Sequence, residues 1–171
     1  VEGGLTNANE LVSRSRREFP HFGVGVAAYP ETHQEAPGAE ADLANLKQKV
    51  GAGADAVITQ LFYDNRDFFE FRERYRGAGI AQPLVPGVLP VVNLAQIQRI
   101  TSLCGATLSP AFAADLEKYR DDPAGQVNVG VEYAIRQCQE LIRSGIPGLH
   151  FYVLNRAEAT RRILEALSLP R

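Results

Sequence analysis

Residues 56–79 read AVITQLFYDNRDFFEFRERYRGAG, and their order decides the fold. An apolar run over 56–63 breaks off into Asp64. A segment follows in which Phe68, Phe71 and Tyr75 recur at helical spacing, so a helix with one apolar face is predicted over 66–76. Gly77-Ala78-Gly79-Ile80 then turns the chain toward its next apolar run. The runs at 22–29, 84–89 and 148–154 have the same form. Leu43, Leu46 and Val50 predict a helix over 39–52. Leu94, Ile97 and Ile100 predict one over 94–103, and Val131, Ile135, Cys138 and Ile142 one over 127–144. A last helix is predicted after Asn155, with Glu158 at capping-box spacing and Ala159, Ile163 and Leu167 as its stripe. Continuous apolar runs alternating with helices predict parallel strands buried on both faces. Such sheets bind ligands beyond the carboxyl ends of their strands.

Gly51-Ala52-Gly53-Ala54, Gly77-Ala78-Gly79-Ile80 and Ser144-Gly145-Ile146-Pro147 each end a helix and feed a strand. This weak repeat favours a closed barrel over an open sheet. The predicted fold is α/β, a TIM-type (βα)8 barrel of which this chain holds about the last four βα units. Such barrels open with a strand and run to roughly 250 residues. This chain has 171 residues, begins with Val1, contains no methionine, and opens with a loop and a helix. It therefore reads as the C-terminal part of a longer protein. Residues 105–125 are an insertion, with a short helix over 109–119 and a loop over 121–125. No linker divides the chain, so 1–171 is read as one domain. A half-barrel leaves two open sheet edges and an uncovered inner face, an arrangement that calls for dimerisation or for missing strands.

Hydrophobic residues make up 45% and charged residues 22%, with a net charge of -2, so the chain carries no basic field for nucleic acid and no polybasic membrane anchor. No apolar stretch approaches the roughly 18 residues of a membrane helix. The two cysteines, Cys104 and Cys138, lack Cys-x-x-Cys spacing and read as core thiols of a cytoplasmic protein. Three scattered histidines make no zinc set, and no metal site is expected. Dinucleotide, Walker A and nucleophile-elbow motifs are absent.

The candidate site residues follow the strand ends. Tyr29 and His33 close the first run, with His33 either a surface loop residue or a ligand contact. Asp42, Asn45 and Lys49 line one stripe of the next helix, either a solvated face or a polar face for a ribose, a base edge and a phosphate. Gln60 lies inside an apolar strand, where its amide needs a core partner or a ligand. Pro86-Gly87-Val88-Leu89-Pro90 predicts a short strand bent at both ends, its glycine serving a flat ligand or packing. Gln96 sits near the same rim. In the last run His150, Tyr152 and Leu154 share a side, with His150 read as structural. Arg156 is placed to pair with a carboxylate or phosphate.

Taken in order, AAYPETH (27–33), ADLxxLKxKV (41–50), ITQLFYD (58–64), PGVLP (86–90) and HFYxLNR (150–156) resemble methylenetetrahydrofolate reductase, from about Phe22 to the C-terminus. The resemblance implies an eight-stranded barrel holding FAD at its strand ends. NADH or NADPH reduces the flavin and leaves, and 5,10-methylenetetrahydrofolate then accepts the hydride from flavin N5 in a ping-pong cycle. It implies that Tyr29, His33, Asp42, Asn45 and Lys49 contact FAD, and that Gln60 meets the reacting ring as the catalytic residue. Gln96, Tyr152 and Arg156 would hold the folate. Gln48 stands where some members carry a basic residue, and Ile100 where some carry a stacking aromatic. The family's catalytic glutamate, an aspartate near the flavin and much of the FAD phosphate site belong to its first four strands. The isolated chain is therefore expected to be inactive, and the intact protein to be a homo-oligomer of one-carbon metabolism and methionine biosynthesis. Two other readings stay open: a barrel enzyme using the same face for a phosphorylated metabolite, and a non-catalytic half-barrel serving binding or assembly.

Overall fold

The computed structural model describes residues 4–5 and 7–167. Among them the chain runs α1 (Ala8–Glu18), β1 (Gly25–Ala28), α2 (Ala39–Gly51), β2 (Ala56–Leu61), α3 (Asn65–Gly77), β3 (Leu84–Val88), α4 (Leu94–Cys104), α5 (Pro110–Glu117), α6 (Pro123–Arg143), β4 (His150–Phe151) and α7 (Ala157–Ala166). The strands form one parallel sheet in chain order, β1-β2-β3-β4. The α/β architecture and the parallel sheet agree with the sequence reading.

Most of the helices begin where the sequence offers a cap, while α2 and α7 start without one. Asp64, Asn93, Ser109 and Asp122 accept backbone N–H groups at the starts of α3, α4, α5 and α6. The apolar stripes point to one face of the sheet. Val57 and Val88 are packed there against Leu46 of α2, Phe68 and Phe71 of α3, Val131, Cys138 and Leu141 of α6 and Ile163 of α7. Phe68 is fully buried and stacks on Phe62, with ring centroids 5.5 Å apart. Burying one such ring contributes about 2–3 kcal/mol. A second cluster caps the carboxyl end of the sheet, where Leu61, Tyr63, Leu89 and Val91 meet α4 and α5 through Leu94, Ile97, Phe112 and Leu116.

The other face of the sheet carries Ala27, Ala56, Ile58, Gln60, Val85 and His150, all partly or fully exposed. The expectation of strands buried on both faces therefore fails for this chain, because its helices lie on one side only.

Four local readings also need correction. β4 spans only His150–Phe151, although the apolar run extends over 148–154. His150 and Tyr152 share a side as expected, their ring centroids 4.7 Å apart, but Leu154 and Asn155 turn left-handed, with φ 48° and 61°, which takes Leu154 out of the alternation. The capping box at Asn155 does not form: Arg156 is the N-cap of α7, no side chain caps it, and Glu158 is held by Arg161 instead. The loop over 121–125 is half helix, since Pro123 occupies the first turn of α6 and Asp122 caps it. β3 starts before Pro86 and contains it. The ladder shifts register there, from Ile58 opposite Val85 to Leu61 opposite Gly87, so the missing proline N–H falls at an irregularity.

Candidate functional site

Beyond β1 the chain tightens. The Thr32 N–H donates to the Tyr29 carbonyl at 3.2 Å, and Thr32 itself is left-handed with φ 77°. The His33 N–H then donates to Asp42 Oδ2 at 3.0 Å, which ties this loop to the first turns of α2. The Glu35 N–H donates to His33 Nδ1 at 3.2 Å, so the neutral imidazole carries its proton on Nε2. The Tyr29 ring meets His33 edge-on at 4.5 Å.

On α2 the periodicity splits the side chains. Leu46 goes into the core, while Asp42, Asn45 and Lys49 turn to the same side as Tyr29 and His33. Lys49 Nζ donates to the Ala27 carbonyl at 2.6 Å and lies 6.0 Å from the Tyr29 ring centroid. Burial pulls the Lys49 ammonium below its ordinary range, and Asp42 pulls it back up. Burial also pushes the Tyr29 phenol up, with Asp42, Cys104 and Glu35 adding to it. All five residues line one cleft of about 430 Å³, a size suited to a cofactor.

The far wall of that cleft is the start of α1, where Asn9 donates to Gln48 Oε1 at 3.0 Å. The sequence reading missed this wall. Asn9 lies far from the strand ends along the chain, and no local pattern marks it.

A second, narrow crevice of about 30 Å³ lies between α4, the end of β4 and the start of α7. Gln96, Tyr152 and Arg156 line it together with Leu89, Ile97, Ile100 and Thr160. Tyr152 is fixed by its hydroxyl, which donates to the Thr59 carbonyl at 2.9 Å, and by His150, whose ring meets it edge-on at 4.7 Å. Burial raises the Tyr152 phenol, with Cys104 and Tyr29 adding to the shift. The His150 side chain makes no hydrogen bond to a described residue. Neither do the guanidinium of Arg156 or the amide of Gln96, and both of these residues are exposed.

Gln60 lines neither cavity. It stands on the uncovered sheet face, where its Oε1 accepts from the Leu61 N–H at 2.9 Å and its amide N–H₂ donates to no described residue. Gly87 serves packing: a Cβ there would meet the Thr59 carbonyl oxygen and lie 2.7 Å from Tyr152 Cε2. Among the described residues no group of His, Cys, Asp and Glu is arranged to hold a metal ion. The thiols are not activated: burial raises Cys104, and it pushes Cys138 up to about 12. No helix among the described residues is long and apolar enough to cross a membrane. What remains is binding chemistry: a cation, a carboxylate and an amide beside an aromatic pair in one cleft, and a guanidinium, an amide and a phenol in the other.

Known proteins resemble this chain over nearly its whole length. The family described as methylenetetrahydrofolate reductase matches residues 1–168. The 5,10-methylenetetrahydrofolate reductase of Pectobacterium carotovorum is 39% identical over 170 residues, covering 98% of this chain and 57% of that protein. The Escherichia coli enzyme of the same name is also 39% identical, over 95% of this chain and 54% of its own length. Methylenetetrahydrofolate reductase (NADH) 1 of Arabidopsis thaliana is 37% identical over 99% of this chain and 30% of its own. The chain thus spans about half the length of these bacterial relatives. Among solved structures, an uncharacterized Clostridium thermocellum protein that binds two copies of 5-methyl-5,6,7,8-tetrahydrofolic acid superposes with a TM-score of 0.62. It is 17% identical, and the match covers 92% of this chain and 57% of that one.

Proposed function

The chain belongs to the methylenetetrahydrofolate reductase family, and from that premise we propose that it is the C-terminal half of the FAD-binding catalytic barrel of such an enzyme. The single observation that carries this reading is the cleft at the end of β1, which gathers Tyr29, His33, Asp42, Asn45 and Lys49. These residues suit FAD. Lys49 offers an ammonium to a diphosphate, and Asp42 and Asn45 offer an acceptor and an amide to hydroxyls or a base edge. FAD, held by these residues, would supply the redox chemistry for hydride transfer from NADH or NADPH to 5,10-methylenetetrahydrofolate.

The chain's own residues do the positioning. Tyr29 and His33 wall the cleft, and the Asp42 bond to the His33 N–H keeps that loop on α2. Gln60 presents its unengaged amide N–H₂ on the sheet face toward the interior of the proposed barrel, where it would meet the reacting ring. Gln96, Tyr152 and Arg156 form the folate side, with the Arg156 guanidinium available to a carboxylate. The uncovered face and the two open sheet edges fit four further strands closing the barrel. Residues 1–171 then form part of one domain of a cytoplasmic, homo-oligomeric enzyme, and this part alone lacks the family's catalytic glutamate.

NAD(P)H–menadione oxidoreductase activity with added FAD tests the proposal. The complete protein turns over, and the isolated chain stays at background. Robust turnover by the isolated chain contradicts the assignment of half the active site to other residues.

A further inference from the structure

The loop that carries Tyr29 and His33 holds a strained residue between them. Tyr29, Pro30, Glu31 and Thr32 form a tight turn, closed by the Thr32 N–H on the Tyr29 carbonyl, with proline at the position such turns favour. Thr32 leaves the turn left-handed, with φ 77°. A β-branched residue is an outlier there and stays only where its surroundings hold it. They hold it from both sides. After Thr32, the His33 N–H is taken by Asp42 of α2. Before it, Glu31 reaches the connection between α4 and α5, where its two carboxylate oxygens accept the Thr107 N–H at 3.1 and 2.9 Å. Among the described residues Glu31 forms no ion pair, so this clamp is the task of its charge. Gln34 adds a tie to the end of α4, donating to the Ser102 carbonyl at 3.0 Å.

Resting on the flavin reading above, we propose that Glu31 is a positioning residue for the cofactor: by clamping the Thr107 N–H it keeps Thr32 in its left-handed turn, and so keeps Tyr29 and His33 along the wall of the cleft. Glu31 does not line the cleft itself, whereas Tyr29, His33 and Glu35 of the same loop do. Its effect therefore passes through the backbone. A hydrogen bond to a carboxylate is about twice as strong as one to a neutral acceptor, which suits it to holding a strained turn. Without the clamp Thr32 relaxes to a negative φ, the chain swings about that residue, and the edge-on contact of Tyr29 with His33 opens. The loss then falls on the flavin more than on the fold, because the bond removed and the strain released offset each other in the protein without ligand.

The test uses the complete protein and three variants: Glu31→Ala, Glu31→Gln, and Glu31→Ala combined with Thr32→Gly. FAD affinity is measured by flavin-fluorescence titration, and thermal unfolding without flavin. Glu31→Ala is expected to weaken FAD about fivefold with little change in Tm. Glu31→Gln keeps an oxygen for the Thr107 N–H and is expected to bind FAD within about twofold of the wild type. The double variant is expected to recover most of the lost affinity, because glycine adopts the left-handed conformation without strain and has no need of the clamp. Wild-type FAD affinity in Glu31→Ala, with or without a lower Tm, overturns the proposal and makes the carboxylate a packing element. A double variant that binds FAD no better than Glu31→Ala also overturns it, since the effect then does not run through Thr32. If the wild type does not bind FAD, the flavin reading itself falls, and this role with it.

Discussion

The tightest point of the sheet is the contact of Gly87 with Thr59 and Tyr152. The Gly87 N–H donates to Thr59 Oγ1 at 2.9 Å, while the Thr59 carbonyl takes the Tyr152 hydroxyl. Thr59 thus fastens β3 with its side chain and Tyr152 with its backbone, just where the ladder shifts register. A methyl group on residue 87 would press on both partners, one of them backbone that cannot rotate away. Gly87→Ala is expected to destabilise the protein by about 2 kcal/mol or more, read as a lower urea midpoint with an unchanged m-value. An unchanged midpoint would contradict the packing role. The sequence left this glycine open between ligand contact and packing, because its neighbour Tyr152 lies on another strand end and no local pattern reveals that approach. Asp42, Asn45 and Lys49 were legible as a stripe because helical spacing alone sets them side by side. That the stripe faces a cleft, and not open solvent, depends on Tyr29, His33 and the start of α1.

At the scale of elements, α6 is the longest helix, and its buried face holds Cys138 at 0% exposure. Burial holds that thiol in its neutral form up to about pH 12, whereas the unfolded thiol titrates near 9.0. Because the folded pKa is the higher one, the stabilisation is complete below pH 9 and fades as the pH rises toward 12. The slope is at most about 1.4 kcal/mol per pH unit. Cys138→Ala is expected to cost about 1 kcal/mol at pH 7 and to show a flatter decline in stability between pH 9 and 10. Parallel curves for the two proteins would contradict this burial effect. Cys104, Tyr75 and Lys49 titrate in both proteins and cancel in the difference.

The long helices were legible because three or four apolar residues at fixed spacing outvote any single polar neighbour. The strand ends were not. The run over 148–154 is long and mostly apolar, yet only two of its residues pair, since the chain must turn at Leu154 to bring α7 onto α6. The capping signal at Asn155 failed for the same reason: the residue is left-handed and cannot serve as an N-cap with extended backbone.

At the scale of the whole molecule, helices cover one face of the sheet and leave Ile58, Gln60 and Val85 on the other. The cleft at β1 and the crevice at α7 lie at the carboxyl ends of the two edge strands. The parallel order was legible because each connection contains a helix, and a hairpin could not accommodate one. The uncovered face was legible only from the strand count: the strands read as apolar on both sides, as they would inside a closed barrel, but four βα units leave the inner face of a half-barrel open. The central claim is that α2 presents a cofactor face. Its most direct test is a flavin-fluorescence titration of FAD into the complete protein and its Lys49→Ala variant, with foldedness checked by circular dichroism. The account predicts saturable binding that weakens at least about tenfold when the ammonium is removed. A folded Lys49→Ala protein that binds FAD as tightly as the wild type would contradict it.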